Sequence, residues 1–205
     1  QNYLDVARLL NIPITQTELV PFTIPEHDQE KVQDMLKDIA KPICVLSVGL
    51  RNTGRDRLWM PERWVDVAKH LQNKFHLVCI GGPSDIQDTY AVTKHLDDVT
   101  NLTGKTSVLQ SAQILKQAKL TLAIDGGPMH MSAAMGTPTI ALFGASSVHL
   151  WAPYNQQSVA IFHKNPGVPC HVNDTPKFYD DRGMAQKAMQ AITVQQVIDT
   201  INLYK

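Results

Sequence analysis

Four short runs of apolar residues punctuate the chain, at 43–48 (ICVLSV), 75–80 (FHLVCI), 120–124 (LTLAI) and 139–143 (TIALF). Runs of this length that do not alternate with polar residues predict strands covered on both faces, as in a parallel sheet. Between them the period becomes helical. Pro61 suits a first helical turn, and the Trp64, Val65, Ala68 and Leu71 that follow share one face. Ser107 with Gln110 three positions on forms a capping box ahead of the stripe Leu109, Ala112, Leu115 and Ala118. Thr193 with Gln196 repeats the signal before Val197, Ile198 and Ile201, predicting a closing helix. Strands alternating with helices predict an α/β fold built on an open parallel sheet.

The first 40 residues read differently. They hold 7 acidic and 3 basic side chains, with prolines at 13, 21 and 25, and predict a connecting segment followed by a helix over 26–39. Residues 41–205 then make one α/β domain, and 163–183, rich in Pro, Asp, Asn and Gly, predict a long loop.

Charge narrows the function. Nineteen basic and 19 acidic side chains cancel, so no net field gathers polyanions and bulk nucleic-acid binding is not expected. No apolar run approaches the ~20 residues of a membrane span, and the opening QNYLDVARLLNIPI lacks the pattern of a signal peptide, so the expectation is a soluble, cytoplasmic chain. It begins at Gln1 rather than Met, which suggests a piece of something longer. Cys44, Cys79 and Cys170 form no Cys-x-x-Cys pair, and the first two are expected in the core. The eight histidines show no metal-ligand spacing, so no metal and no cofactor are expected.

Ligands of a doubly wound sheet bind beyond the carboxyl ends of its strands, and three loops there carry unusual chemistry. Asp125-Gly126-Gly127-Pro128-Met129-His130 joins a strand to a helix start. Its glycines admit a ligand to the main chain, and the unpaired N–H groups of the helix favour a phosphate. The same residues also suit a plain tight turn, with His130 as a cap or core residue. The loop 49–60 holds Arg51, Arg55 and Arg57 beside Asn52 and Thr53, in a stretch (41–75) with 7 basic and 3 acidic side chains. These arginines are either phosphate clamps or a solvated charged loop. Asp85, after Gly81-Gly82-Pro83, is placed either to accept from ribose hydroxyls or to cap the next helix. Neither a G-x-G-x-x-G fingerprint nor a Walker-type P-loop is present.

These residues resemble the heptosyltransferases of glycosyltransferase family 9. The run AIDGGPMHMSAAMGTPTIALFGASS at 123–147 is similar to the family's D-S/T-G-P/M-x-H, A-A-x-G-x-P and A-L-F-G pattern. NLTGKTS at 101–107 resembles its N-L-x-G-K-T-S segment, and Arg57-Leu58-Trp59 with Trp64 resembles K-x-W-P-x-x-x-F/W. The resemblance covers about 41–205 and implies a Rossmann-like open parallel sheet, the C-terminal, donor-binding half of a two-domain GT-B enzyme. It implies ADP-heptose as donor and inverting, metal-independent transfer to a lipopolysaccharide core acceptor. The acceptor site and the catalytic base would lie on an N-terminal domain outside this chain, leaving the fragment inactive by itself. Peripheral association with the inner membrane is a further implication. Carried over by residue, Arg57, Thr53, Asp125, Gly126, Gly127 and His130 would hold the donor diphosphate and sugar, and Asp85 and Thr106 the nucleoside.

This chain departs from the pattern at Gly126 (Ser or Thr in the family), Arg57 (Lys), Met60 (Pro) and a C-terminal loop that keeps only Cys170. Two other readings stay open: another GT-B sugar-nucleotide enzyme, such as a UDP-sugar transferase or epimerase, and a non-catalytic nucleotide-binding module.

Overall fold

The computed structural model describes residues 9–11, 19–50, 57–144, 146–163 and 182–204. Among these, six parallel strands form one sheet: β1 (Ile43–Ser47), β2 (His76–Cys79), β3 (Val99–Asn101), β4 (Leu120–Ile124), β5 (Thr139–Phe143) and β6 (Val159–Phe162). Their order is β3-β2-β1-β4-β5-β6, which is doubly wound and Rossmann-like as expected. The chain leaves β1 toward one edge, returns, and leaves β4 toward the other. A crevice therefore opens where β1 and β4 run side by side, Cys44 opposite Leu120 and Ser47 opposite Ala123.

The helices are α1 (Glu26–Leu36), α2 (Pro61–Gln72), α3 (Ile86–Thr93), α4 (Val108–Gln117), α5 (Gly127–Ala134), α6 (Val148–Trp151), α7 (Arg182–Ala191) and α8 (Val194–Ile201). One face of the sheet is covered by α2, α7 and α8, with Trp64, Leu71, Met189, Ile192 and Val197 packed on Leu46, Leu77 and Leu122. On the other, Val32 and Leu36 of α1 and Ile114 and Leu115 of α4 pack on Val45, Val78 and Ile80. Every residue of β1, β4 and β5 is buried, which is why those strands are uninterrupted apolar runs. Cys44 and Cys79 lie in this core as expected. Burial holds the Cys79 thiol up to about 12 and pushes that of Cys44 higher still, so both stay protonated and inert.

The local signals match their elements. Ser107 Oγ accepts from Gln110 N at 3.1 Å while Gln110 Oε1 accepts from Ser107 N at 3.0 Å. Thr193 and Gln196 make the same reciprocal pair. Pro61 opens α2, where its missing N–H costs no helical bond.

Five elements go beyond the sequence reading. β3 is three half-buried residues on one edge, β6 is a partly exposed edge strand, and α3 turns Ile86 and Tyr90 to solvent, so none has the apolar run or full stripe that announces a buried element. The short α6 and the whole of α7 were also unforeseen, α7 beginning inside the expected 163–183 loop at Arg182. The α1 helix ends at Leu36, short of the expected 39.

Candidate functional site

Two of the predicted loops meet at the crevice between β1 and β4. Arg57 Nη1 donates to Asp125 Oδ2 at 2.9 Å across 68 residues of sequence. The carboxylate side chain is 8% exposed and the guanidinium 28%. A carboxylate this buried needs its cation, and the guanidinium in turn is held at the crevice by it.

Directly after Asp125, α5 starts at Gly127 with Gly126 as its extended N-cap residue and Pro128 in the first turn. Neither glycine has a left-handed backbone. A Cβ on Gly126 would meet the end of the Leu50 side chain at 3.2 Å, and a Cβ on Gly127 would meet nothing within 4 Å. The α5 N-terminus therefore faces open volume, with Arg57 beside it. Unpaired helix N–H groups at an open N-terminus suit a phosphate, and Arg57 is held to the residue two positions ahead of that helix by its bond to Asp125.

His130 stands one turn into α5, its ring edge-on to Trp151 with centroids 6.5 Å apart. Burial lowers its proton affinity below that of a free histidine, and the nearby Asp125 pulls the other way. At neutral pH the ring is therefore neutral, able to donate from one nitrogen and accept at the other.

Asp85 occupies the N-cap position of α3, yet its side chain does not cap that helix. It turns back instead: Oδ2 accepts from Gly82 N at 2.8 Å and Oδ1 from the Ser84 hydroxyl at 3.2 Å. The loop after β1 packs directly on Asp85, since a Cβ on Gly49 would lie 2.4 Å from Asp85 Cβ. Thr106 shares a hydrogen bond with Ser111, hydroxyl to hydroxyl, at 2.8 Å. Thr53, Arg51, Asn52, Arg55 and Cys170 lie outside the described residues.

A cleft of about 1110 Å³ links several of these groups. Thr106, Gly127 and His130 line it, together with Gly81 and Gly82, whereas Arg57, Asp85, Asp125 and Gly126 do not. Its remaining wall is largely apolar and includes Phe22, Val108, Trp151 and Tyr154. Sequence reasoning missed Trp151 and Tyr154. Their signal was available, because they follow β5 as the other site loops follow their strands, at the same end of the sheet. Among the described residues no group of three or more His, Cys, Asp or Glu side chains is placed to hold a metal.

Comparison with known proteins decides the family. The model of glycosyltransferase family 9 (heptosyltransferase) matches residues 3–177. The chain belongs to glycosyltransferase family 9. The match starts at residue 3, so the family pattern includes the acidic segment ahead of α1 as well as the sheet. The lipopolysaccharide core heptosyltransferase OpsX of Haemophilus influenzae is 26% identical over 145 residues, 67% of this chain and 41% of that one. A family 9 glycosyltransferase from Veillonella parvula superposes with a TM-score of 0.84 at 21% identity, covering 98% of this chain and 58% of its own. The Escherichia coli heptosyltransferase WaaC, solved with ADP, gives 0.66 at 19% identity over 97% and 54%. The chain thus spans less than half the length of the curated relative and somewhat over half of the solved structures.

Proposed function

We propose that this chain is the donor-binding half of a heptosyltransferase that moves heptose from ADP-heptose to a lipopolysaccharide core acceptor, with inversion at the anomeric carbon and without a metal ion. The observation that carries the reading is the Arg57–Asp125 pair set beside the open N-terminus of α5 at the switch crevice, in a member of family 9. The names of the relatives support the chemistry: OpsX is a core heptosyltransferase, and WaaC was solved with ADP.

In this proposal the diphosphate lies against Arg57 and the free N–H groups of Gly127 and Met129 at the start of α5, Pro128 between them having none, and Thr53 is the hydroxyl donor that the family resemblance assigns to it. Departure of ADP from the sugar accumulates negative charge on the diphosphate. A fixed guanidinium and helix dipole stabilise that charge without reorganising. Asp125 and His130 face the sugar, and Asp85 and Thr106 mark the nucleoside side. The acceptor hydroxyl attacks the anomeric carbon from the face opposite the diphosphate, and the base that takes its proton belongs to a preceding domain. The working location is the cytoplasm, with peripheral contact to the inner membrane where a lipid-linked acceptor would sit. No helix among the described residues is long and apolar enough to cross a membrane.

Calorimetry with ADP, UDP, GDP and adenosine tests the reading. ADP should bind best of the diphosphates, and Arg57→Ala should weaken ADP about 10- to 150-fold, the value of a charge-assisted hydrogen bond of roughly 1.5–3 kcal/mol, while adenosine is unaffected. Equal losses for ADP and adenosine would refute the phosphate role. Preference for UDP would move the chain to another sugar-nucleotide chemistry. Acceptor-dependent ADP release from ADP-heptose should need the longer protein, and turnover by the isolated chain would place the base within these 205 residues.

A further inference from the structure

The stretch after Arg57 is tied to a part of the chain far away in sequence. Trp59 Nε1 donates to the Ile192 carbonyl at 3.0 Å, across 133 residues. Arg63, in the first turn of α2, donates from Nη1 to the Gln190 carbonyl at 2.6 Å and also to the Ile192 carbonyl. These carbonyls belong to the end of α7 and its link to α8, where a helix leaves acceptors without internal partners. A cation there also meets the negative end of the helix dipole.

Trp59 is 2% exposed and packs edge-on against Trp64, ring centroids 5.5 Å apart at 79°. Leu58 and Met60 on either side pack against the same core. The backbone two residues beyond the guanidinium is thereby pinned at a ring, a hydrogen bond and two apolar neighbours. None of the described side chains of α7 or α8 lines the cleft.

We propose that Trp59 is a positioning residue for the diphosphate: through its hydrogen bond to the Ile192 carbonyl it fixes the backbone that carries Arg57. The C-terminal helix pair then contributes to donor affinity without touching the donor. The inference rests on the donor-binding reading above. A guanidinium on a loosely held backbone samples many positions, and each phosphate contact is weakened by the entropy of ordering it.

The test is a double-mutant cycle on this chain, read by calorimetry with ADP and with adenosine. Trp59→Phe keeps an aromatic ring against Trp64 but removes the donor, and the Ile192 carbonyl retains its bond from Arg63. Trp59→Phe should weaken ADP about five- to tenfold and leave adenosine within about twofold, because only the phosphate contact is loosened. In the Arg57→Ala background the same change should have no further effect on ADP. A loss of equal size in both backgrounds, equal losses for ADP and adenosine, or unchanged ADP affinity would overturn the proposal. If Trp59→Phe does not fold, Arg63→Met asks the same question from the next turn, with a smaller ADP-selective loss expected and none refuting it. An Arg57→Ala protein that binds ADP like wild type sinks the donor reading and this inference together. A fall for Arg57→Ala with no change for Trp59→Phe sinks the inference alone.

Discussion

Gly127→Ala separates what a residue does for the fold from what it does for the site. Gly127 is the first residue of α5, its backbone is not left-handed, and a Cβ there meets no atom within 4 Å. A methyl group at this position strains nothing, and it reduces the freedom of the unfolded chain. Gly→Ala at a compatible site stabilises by about 0.4–1 kcal/mol. For a chain of this size 1 kcal/mol moves the melting temperature by roughly 2–4 °C, so the variant should melt about 1–4 °C above wild type. The space the methyl enters borders the cleft. If a diphosphate approaches the α5 main chain there, the methyl holds it off and lengthens its hydrogen bonds to the N–H groups. Loss of one such bond to a charged group, roughly 1.5–3 kcal/mol, weakens ADP at least tenfold. Thermal denaturation and calorimetry with ADP on the same preparation give both numbers. A variant that melts higher and binds ADP like wild type would show that phosphates do not reach this helix. A variant that melts several degrees lower would show that the open space is not open.

Two further outcomes test neighbouring parts of the site. Gly49→Ala should destabilise by about 1–3 kcal/mol, the cost of overpacking, because its Cβ falls 2.4 Å from Asp85 Cβ and 3.0 Å from Asp85 Cα and a backbone must move; a urea midpoint equal to wild type would refute this. For His130 the folded-state pKa lies below the ordinary 6.5, so the unfolded chain binds the proton more tightly, and the stability the neutral ring contributes is complete above about 6.5 and lost as pH falls toward the folded value. The advantage of wild type over His130→Gln in urea should shrink from pH 7.5 to pH 5.5, and a constant or growing advantage would mean that Asp125, rather than burial, governs the ring.

How much of this was legible beforehand depended on how far apart the interacting groups lie in sequence. The capping pairs Ser107–Gln110 and Thr193–Gln196 act over three residues, so their chemistry is visible in the string itself. The central strands are legible because burial on two faces excludes polar residues, whereas Val99, Thr100 and Asn101 sit half-buried at an edge where polar side chains are tolerated. Arg57 and Asp125 were each candidates, but that they pair depends on β4 returning to lie beside β1, which periodicity does not encode. For Asp85 the sequence leaves a ribose contact and a cap on α3 as alternatives, and the structure removes the cap. Its carboxylate is turned into its own loop because Gly82 offers a nearer N–H. Trp151, at the end of the short α6, and Tyr154 are legible only by their position after the apolar run of β5, since no glycine, arginine or carboxylate beside them marks a ligand loop.

The bond between Trp59 and Ile192 also sets a schedule for the chain as it is made. At synthesis rates of roughly 5–20 residues per second, the 133 residues between them take about 7–27 seconds to appear. During that interval β1 through β5 can pair, yet Trp59 and Trp64 lack the α7–α8 cover that buries them in the finished protein. A nascent chain in this window has two indole rings without their full apolar cover. The helix pair α7–α8 is therefore what completes the burial of both indoles, at the same moment that Trp59 gains its bond to Ile192.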